Sequence, residues 1–74
     1  MKADLSKKSD VGLYQLIGKS IQIRHIRDHF VLERGEQIYV SQESNEFGDV
    51  LVEFPNGVIS YKHVMFLKQF KKVG

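Results

Sequence analysis

Cysteine is absent from this 74-residue chain. No disulfide can staple the fold and no thiolate can hold a metal, which fits a reducing compartment. Long hydrophobic runs are absent as well. None approaches the roughly 20 residues that cross a bilayer. The polar opening, Met1 to Asp10, lacks the apolar stretch that a signal peptide needs. A soluble, cytoplasmic protein with no membrane association is expected. Length is the third shortage. A domain this small buries only about 60% of the surface its unfolded chain exposes, so little interior is left to line a deep substrate cavity.

Charge is present, but it is unevenly spread. The formal net charge is +2. From Glu33 to Glu53, six acids (Glu33, Glu36, Glu43, Glu46, Asp49, Glu53) face a single base, Arg34. From Phe54 to Gly74 there are four lysines and no acid. Residues 19–32 carry Lys19, Arg24 and Arg27 against Asp28. Strands that keep these blocks apart would give one basic and one acidic surface.

Along the chain, residues 1–10 lack apolar periodicity and read as a flexible arm. Residues 11–70 form the domain and 71–74 a tail. In Val11 to Ile17, Leu13, Leu16 and Ile17 share a helical face between Asp10, a candidate N-cap, and Gly18, a stop. A short helical turn is expected there. From Gly18 the period becomes two. Ile21 and Ile23 mark a first strand, and Arg27 to Arg34 a loop. Ile38 and Val40 mark a second strand, Ser44 to Asp49 a turn, and Val50, Val52 and Phe54 a third strand. Pro55-Asn56-Gly57 contains the chain's one proline and is its strongest hairpin signal. Ile59 and Tyr61 mark a fourth strand, Val64 to Phe66 a 3₁₀ turn, and Leu67 to Phe70 a fifth strand. The expected core is Ile21, Ile23, Ile38, Val40, Val50, Val52, Phe54, Ile59, Tyr61 and Leu67.

This order of elements from Gly18 to Phe70 resembles the SH3-like small barrels, among them Tudor, KOW and Sm-type domains. The resemblance implies an all-β, five-stranded barrel in which the first strand pairs with the last. Tyr61-Lys62-His63, followed by Val64 and Met65, resembles the Tyr-Lys-His segment of bacterial Hfq, an Sm-type RNA chaperone. That resemblance implies a pore-facing, uridine-contacting role for Lys62 and His63. The turn around Arg27 to Arg34 is longer than in that family, and its rim arginines have no counterpart here. Monomer or dimer is therefore expected rather than a ring.

Catalytic readings find little to build on. His25 and His29 stand four apart, but at a strand end and in a loop, where that spacing gives no shared face for a metal. The carboxylates between Glu33 and Glu53 fall outside the inward phase, so a buried acid–base pair is not expected. No nucleophile or phosphate-loop motif occurs. The type II dihydrofolate reductases share the barrel, but this chain reads Val58-Ile59-Ser60-Tyr61 and lacks their pore glutamine. The expected function is therefore non-catalytic binding of nucleic acid, RNA ahead of DNA, with no cofactor. Lys19, Arg24, Lys68, Lys71 and Lys72 would supply a one-sided basic patch. Tyr39, Lys62 and His63 would add further contacts to bases and phosphates. The alternative is a protein-interaction module, or a small regulator of phage or accessory type, that docks on a larger protein.

Overall fold

The protein is described by a computed structural model covering residues 9–74. The described chain is all-β apart from one 3₁₀ helix. In order it runs β1 (Gly12–Leu16), β2 (Ile21–His25), β3 (Asp28–Leu32), β4 (Gln37–Gln42), β5 (Asp49–Glu53), β6 (Ile59–His63), the 3₁₀ helix η1 (Val64–Gln69) and β7 (Phe70–Lys72). Five strands form one antiparallel sheet in the order β6-β5-β4-β1-β7, and β2 and β3 form a separate two-stranded ribbon. Backbone pairing does not close this sheet on itself. Among the described residues, β6 and β7 each have one strand partner.

The expected helical turn over Val11 to Ile17 is instead β1. Its burial alternates, with Gly12, Tyr14 and Leu16 inward and Leu13 and Gln15 half-covered. The chain end pairs along the edge of β1: Val73 N donates to Leu13 O at 2.8 Å, and Leu13 N to Gly74 O at 3.0 Å. Val73 and Gly74, read as tail, thus hydrogen-bond to β1.

The expected loop Arg27 to Arg34 contains β3. The first expected strand therefore pairs with β3 (Ile23 opposite Phe30), while β1 pairs with β7 (Leu16 opposite Phe70). Pairing of the Ile21 strand with the last strand is replaced by these two ladders.

The core is built from Tyr14, Leu16, Ile38, Val40, Val50 and Val52 of the sheet, closed by Ile23, Leu32, Phe54, Leu67 and Phe70. A chain of phenylalanine contacts, the first two edge-on and the third tilted, runs from Phe30 of the ribbon into it. Phe30 meets Phe54 at 5.3 Å, Phe54 meets Phe66 at 6.4 Å, and Phe66 meets Phe70 at 5.1 Å between ring centroids. Each such pair contributes about 0.5–1.5 kcal/mol beyond its buried area. Ile59 and Tyr61, expected in the core, are 51% and 57% exposed. On β6 the inward phase belongs to Ser60 and Lys62, which are half-buried.

Two turns follow their sequence signals. Phe54 O accepts from Gly57 N at 2.9 Å and Phe54 N donates to Val58 O at 2.8 Å, with Gly57 at φ +93°. This three-residue loop carries its positive φ on glycine, which has no Cβ to clash. In the β4–β5 turn, Asn45 Oδ1 accepts from Phe47 N at 2.9 Å and Asp49 N at 3.0 Å.

Candidate functional site

The residues singled out from sequence fall into four places. Lys19 lies in the link between β1 and β2. Ile17 N, two residues earlier, donates to Gln69 O at 3.2 Å. The start of that link therefore adjoins the last turn of η1, which carries Lys68. Lys71 and Lys72 follow on β7, opposite Gln15 and Tyr14. Lys72 is engaged, its Nζ donating to Ser9 O at 3.0 Å.

Arg24 stands apart from the β7 ladder. It lies on the ribbon opposite His29, and β2 has no strand partner besides β3. Strand alternation puts Gln22, Arg24, His29 and Val31 on one face of the ribbon. The other face holds Ile21, Ile23, Phe30 and Leu32, which pack on or within the core. His25 pairs with Asp28 and so belongs to the second face, whereas His29 belongs to the first. Among the described residues no group of three or more His, Asp or Glu side chains is placed to hold a metal ion.

Tyr39 lies on the outer face of the sheet, between Leu13 on β1 and Glu53 on β5. It lines a shallow open groove of about 570 Å³ together with Leu13, Glu36, Glu53 and Pro55. Its charged neighbours there are acidic, so Tyr39 does not join the lysines.

Lys62 and His63 occupy the β6–η1 junction. Lys62 Nζ sits 5.8 Å from the centroid of the Phe66 ring. His63 caps η1, its Nδ1 accepting from Met65 N at 3.1 Å. Both side chains therefore have local roles within the fold.

The arm's described end is held by the acidic block. Glu43 accepts hydrogen bonds from the Ser9 hydroxyl and, at 3.0 Å, from Asp10 N. Asp10 O in turn accepts from the Tyr14 hydroxyl at 2.8 Å. Burial, then the charges of Asp10 and Glu43, push the Tyr14 hydroxyl pKa above its ordinary value. Two further lysines of the arm, Lys7 and Lys8, lie outside the described residues.

Sequence reading missed the ribbon tip, His25-Ile26-Arg27-Asp28. The available signal was the alternation on both sides of it, Gln22/Arg24 before and His29/Val31 after. No helix among the described residues is long and apolar enough to cross a membrane. Comparison with protein-family models, with curated proteins and with solved structures finds no match.

Proposed function

We propose that this chain is a cytoplasmic, non-catalytic nucleic-acid-binding module built on an SH3-like small barrel. The strand order β7-β1-β4-β5-β6, the ribbon inserted between β1 and β4, and the 3₁₀ turn before the last strand all support that fold reading. The observation that carries the binding reading is the β2–β3 ribbon. Its outer face and tip bear Arg24, Arg27 and His29, all exposed, against one acid, Asp28. Ile23 and Leu32 root it in the core. A rooted ribbon fixes the backbone positions of its cations, so the ordering cost on meeting phosphates is confined to their side chains. Lys19, Lys68 and Lys71 extend the positive surface elsewhere on the molecule. The groove beside Tyr39 is shallow and open to solvent, which suits surface contact better than chemistry that must exclude water.

The test is fluorescence anisotropy with labelled duplex DNA, U-rich RNA and A-rich RNA at two salt concentrations. Affinity is expected to fall steeply with salt, and Arg24→Gln/Arg27→Gln to reduce the logarithmic slope by roughly two, about 0.9 per lost contact. No binding at low salt, or equal binding by the double variant, overturns the reading.

A second reading, docking to a protein, draws on the outer face of the sheet. Leu13, Tyr39, Glu53 and Ile59 form one cross-strand row, and Leu51 and Tyr61 pair in the next. Exposed apolar rows with acidic neighbours suit a basic protein surface. Loss of partner binding in Tyr39→Ala, with nucleic-acid binding unchanged, would favour it.

A further inference from the structure

We infer that Ile26 is an apolar wedge that enters the minor groove of duplex DNA at a flexible base step, with Arg24 and Arg27 holding the flanking phosphates. The inference rests on the nucleic-acid reading above and specifies its ligand.

Ile26 is the first residue of the two-residue turn that joins β2 to β3. It is 86% exposed, the highest value among the large exposed apolar residues of the described chain. It is also the sole non-glycine residue with positive φ there, at 52°. A β-branched side chain is poorly tolerated in that region of φ. Hairpin turns place glycine, asparagine or aspartate at such positions. Ile26 therefore combines backbone strain with an apolar side chain in water. Its near-complete exposure leaves no packing within the fold to offset either, and strain of this kind tends to sit where a ligand is met.

The chemistry of the tip narrows the ligand. Its neighbours are Arg24, His25, Arg27 and His29, with Asp28 the one acid. Asp28 pairs with His25 on the core-facing side of the ribbon, away from the Arg24–His29 face. Unpaired bases are usually held by stacking on aromatic rings, whereas apolar wedges that part stacked base pairs are commonly aliphatic. The exposed apolar residues of this ribbon are Ile26 and Val31, both aliphatic. A stacked duplex fits them better than a single strand does. Reach is sufficient: Ile26 lies three residues beyond buried Ile23, roughly 10 Å along the strand, against a minor-groove depth of about 7.5 Å. The two-stranded ribbon is broader than the roughly 6 Å minor groove, so only its tip enters while the arginines stay at the backbone.

The test uses a duplex with 2-aminopurine at a central T-A step, the same labelled strand alone, and vesicles containing phosphatidylserine. Parent, Ile26→Gly and Arg24→Gln/Arg27→Gln proteins are compared. Parent binding is expected to raise the 2-aminopurine fluorescence of the duplex. Ile26→Gly removes the unfavourable φ and is expected to melt at a higher temperature than the parent. It should nevertheless lose the fluorescence rise and bind the duplex about tenfold more weakly with an unchanged salt slope. The arginine variant should lose salt slope. Duplex binding without a fluorescence rise, or an Ile26→Gly protein that matches the parent, overturns the wedge and leaves the nucleic-acid reading standing. Preference for the single strand does the same. Binding to vesicles alone, or to none of the probes, overturns the nucleic-acid reading and the wedge with it.

Discussion

Gly48 lies against the imidazole of His63: a Cβ added at Gly48 would stand 3.0 Å from His63 Nε2. The same glycine accepts a 2.7 Å hydrogen bond from Val64 N through its carbonyl, and its φ is +80°. The β4–β5 turn and the start of η1 are thus packed as one unit, with the ring of His63 between them. Alanine at position 48 carries two penalties, a left-handed backbone and a displaced imidazole. Gly35 is the control, since its φ is +96° and nothing lies within 4 Å of its Cβ position. Gly35→Ala should cost about 1–2 kcal/mol from backbone strain alone. Gly48→Ala should cost more, by denaturant titration. Equal losses would mean that His63 yields freely.

The inverted phase of β6 gives a second expectation. Val52 is fully buried, whereas Tyr61, on the next strand, is 57% exposed. Val52→Ala removes two methyl groups from a closed core and should cost on the order of 1–3 kcal/mol. Tyr61→Ala should change stability by no more than about 0.5 kcal/mol, the usual range for surface positions. A large loss at Tyr61 would place that ring under a cover the described residues do not provide.

These positions also mark how far the sequence was legible. Period two located β2, β4, β5 and β6, and Pro55-Asn56-Gly57 located its turn, because those signals are local. Phase on an edge strand is not local. Ile59 and Tyr61 alternate as a buried pair would, yet the core meets Ser60 and Lys62 instead, because β6 lies at the sheet's margin. β1 was missed because Leu13, Leu16 and Ile17 satisfy a helical spacing over a window too short to separate the two periods. The contact that decides it, β1 between β4 and β7, is between residues far apart in the chain. β3 was missed because its turn is Ile26-Arg27, which carries none of the residues that announce a hairpin. That omission removed Ile26, Arg27 and His29 from the candidate site. Arg24 was singled out, but its neighbour is His29 on the ribbon rather than the last strand.

Tyr14 makes stability depend on high pH. Its folded pKa is raised above the ordinary 10.0 by burial and by the charges of Asp10 and Glu43. Above the unfolded pKa the unfolded chain has lost this proton while the folded protein keeps it. Stability is therefore intact below about pH 10 and falls as pH rises through the folded value. Tyr14→Phe should flatten that decline. It should also lower stability at neutral pH by about 0.5–1.5 kcal/mol through loss of the hydrogen bond to Asp10 O. Melting temperatures of both proteins from pH 8 to about 11 check this; parallel curves would remove Tyr14 from the account.

The last expectation ranks the cations. The ribbon arginines are exposed on an element rooted in the core, whereas Lys72 already donates to Ser9 O and Lys62 lies over Phe66. Arginine also offers phosphate two donors in a fixed plane. Arg24→Gln/Arg27→Gln should therefore weaken duplex binding more than Lys68→Ala/Lys71→Ala/Lys72→Ala does, although it removes fewer charges. A polyanion attracted by net charge alone would give the opposite order. The acidic control must be chosen from the structure. Glu43 holds Ser9 and Asp10, so Glu43→Gln disturbs the arm as well as the charge. Glu46, in the exposed β4–β5 turn, is the cleaner position, and Glu46→Gln should leave binding unchanged or slightly stronger as repulsion falls. Anisotropy titrations of the four proteins at one low salt concentration give the ranking. If the lysine variant is the most impaired, the surface near η1 and β7 carries the contact and the ribbon is secondary. If Glu46→Gln is the most impaired, phosphate attraction does not set the affinity and the electrostatic ranking fails.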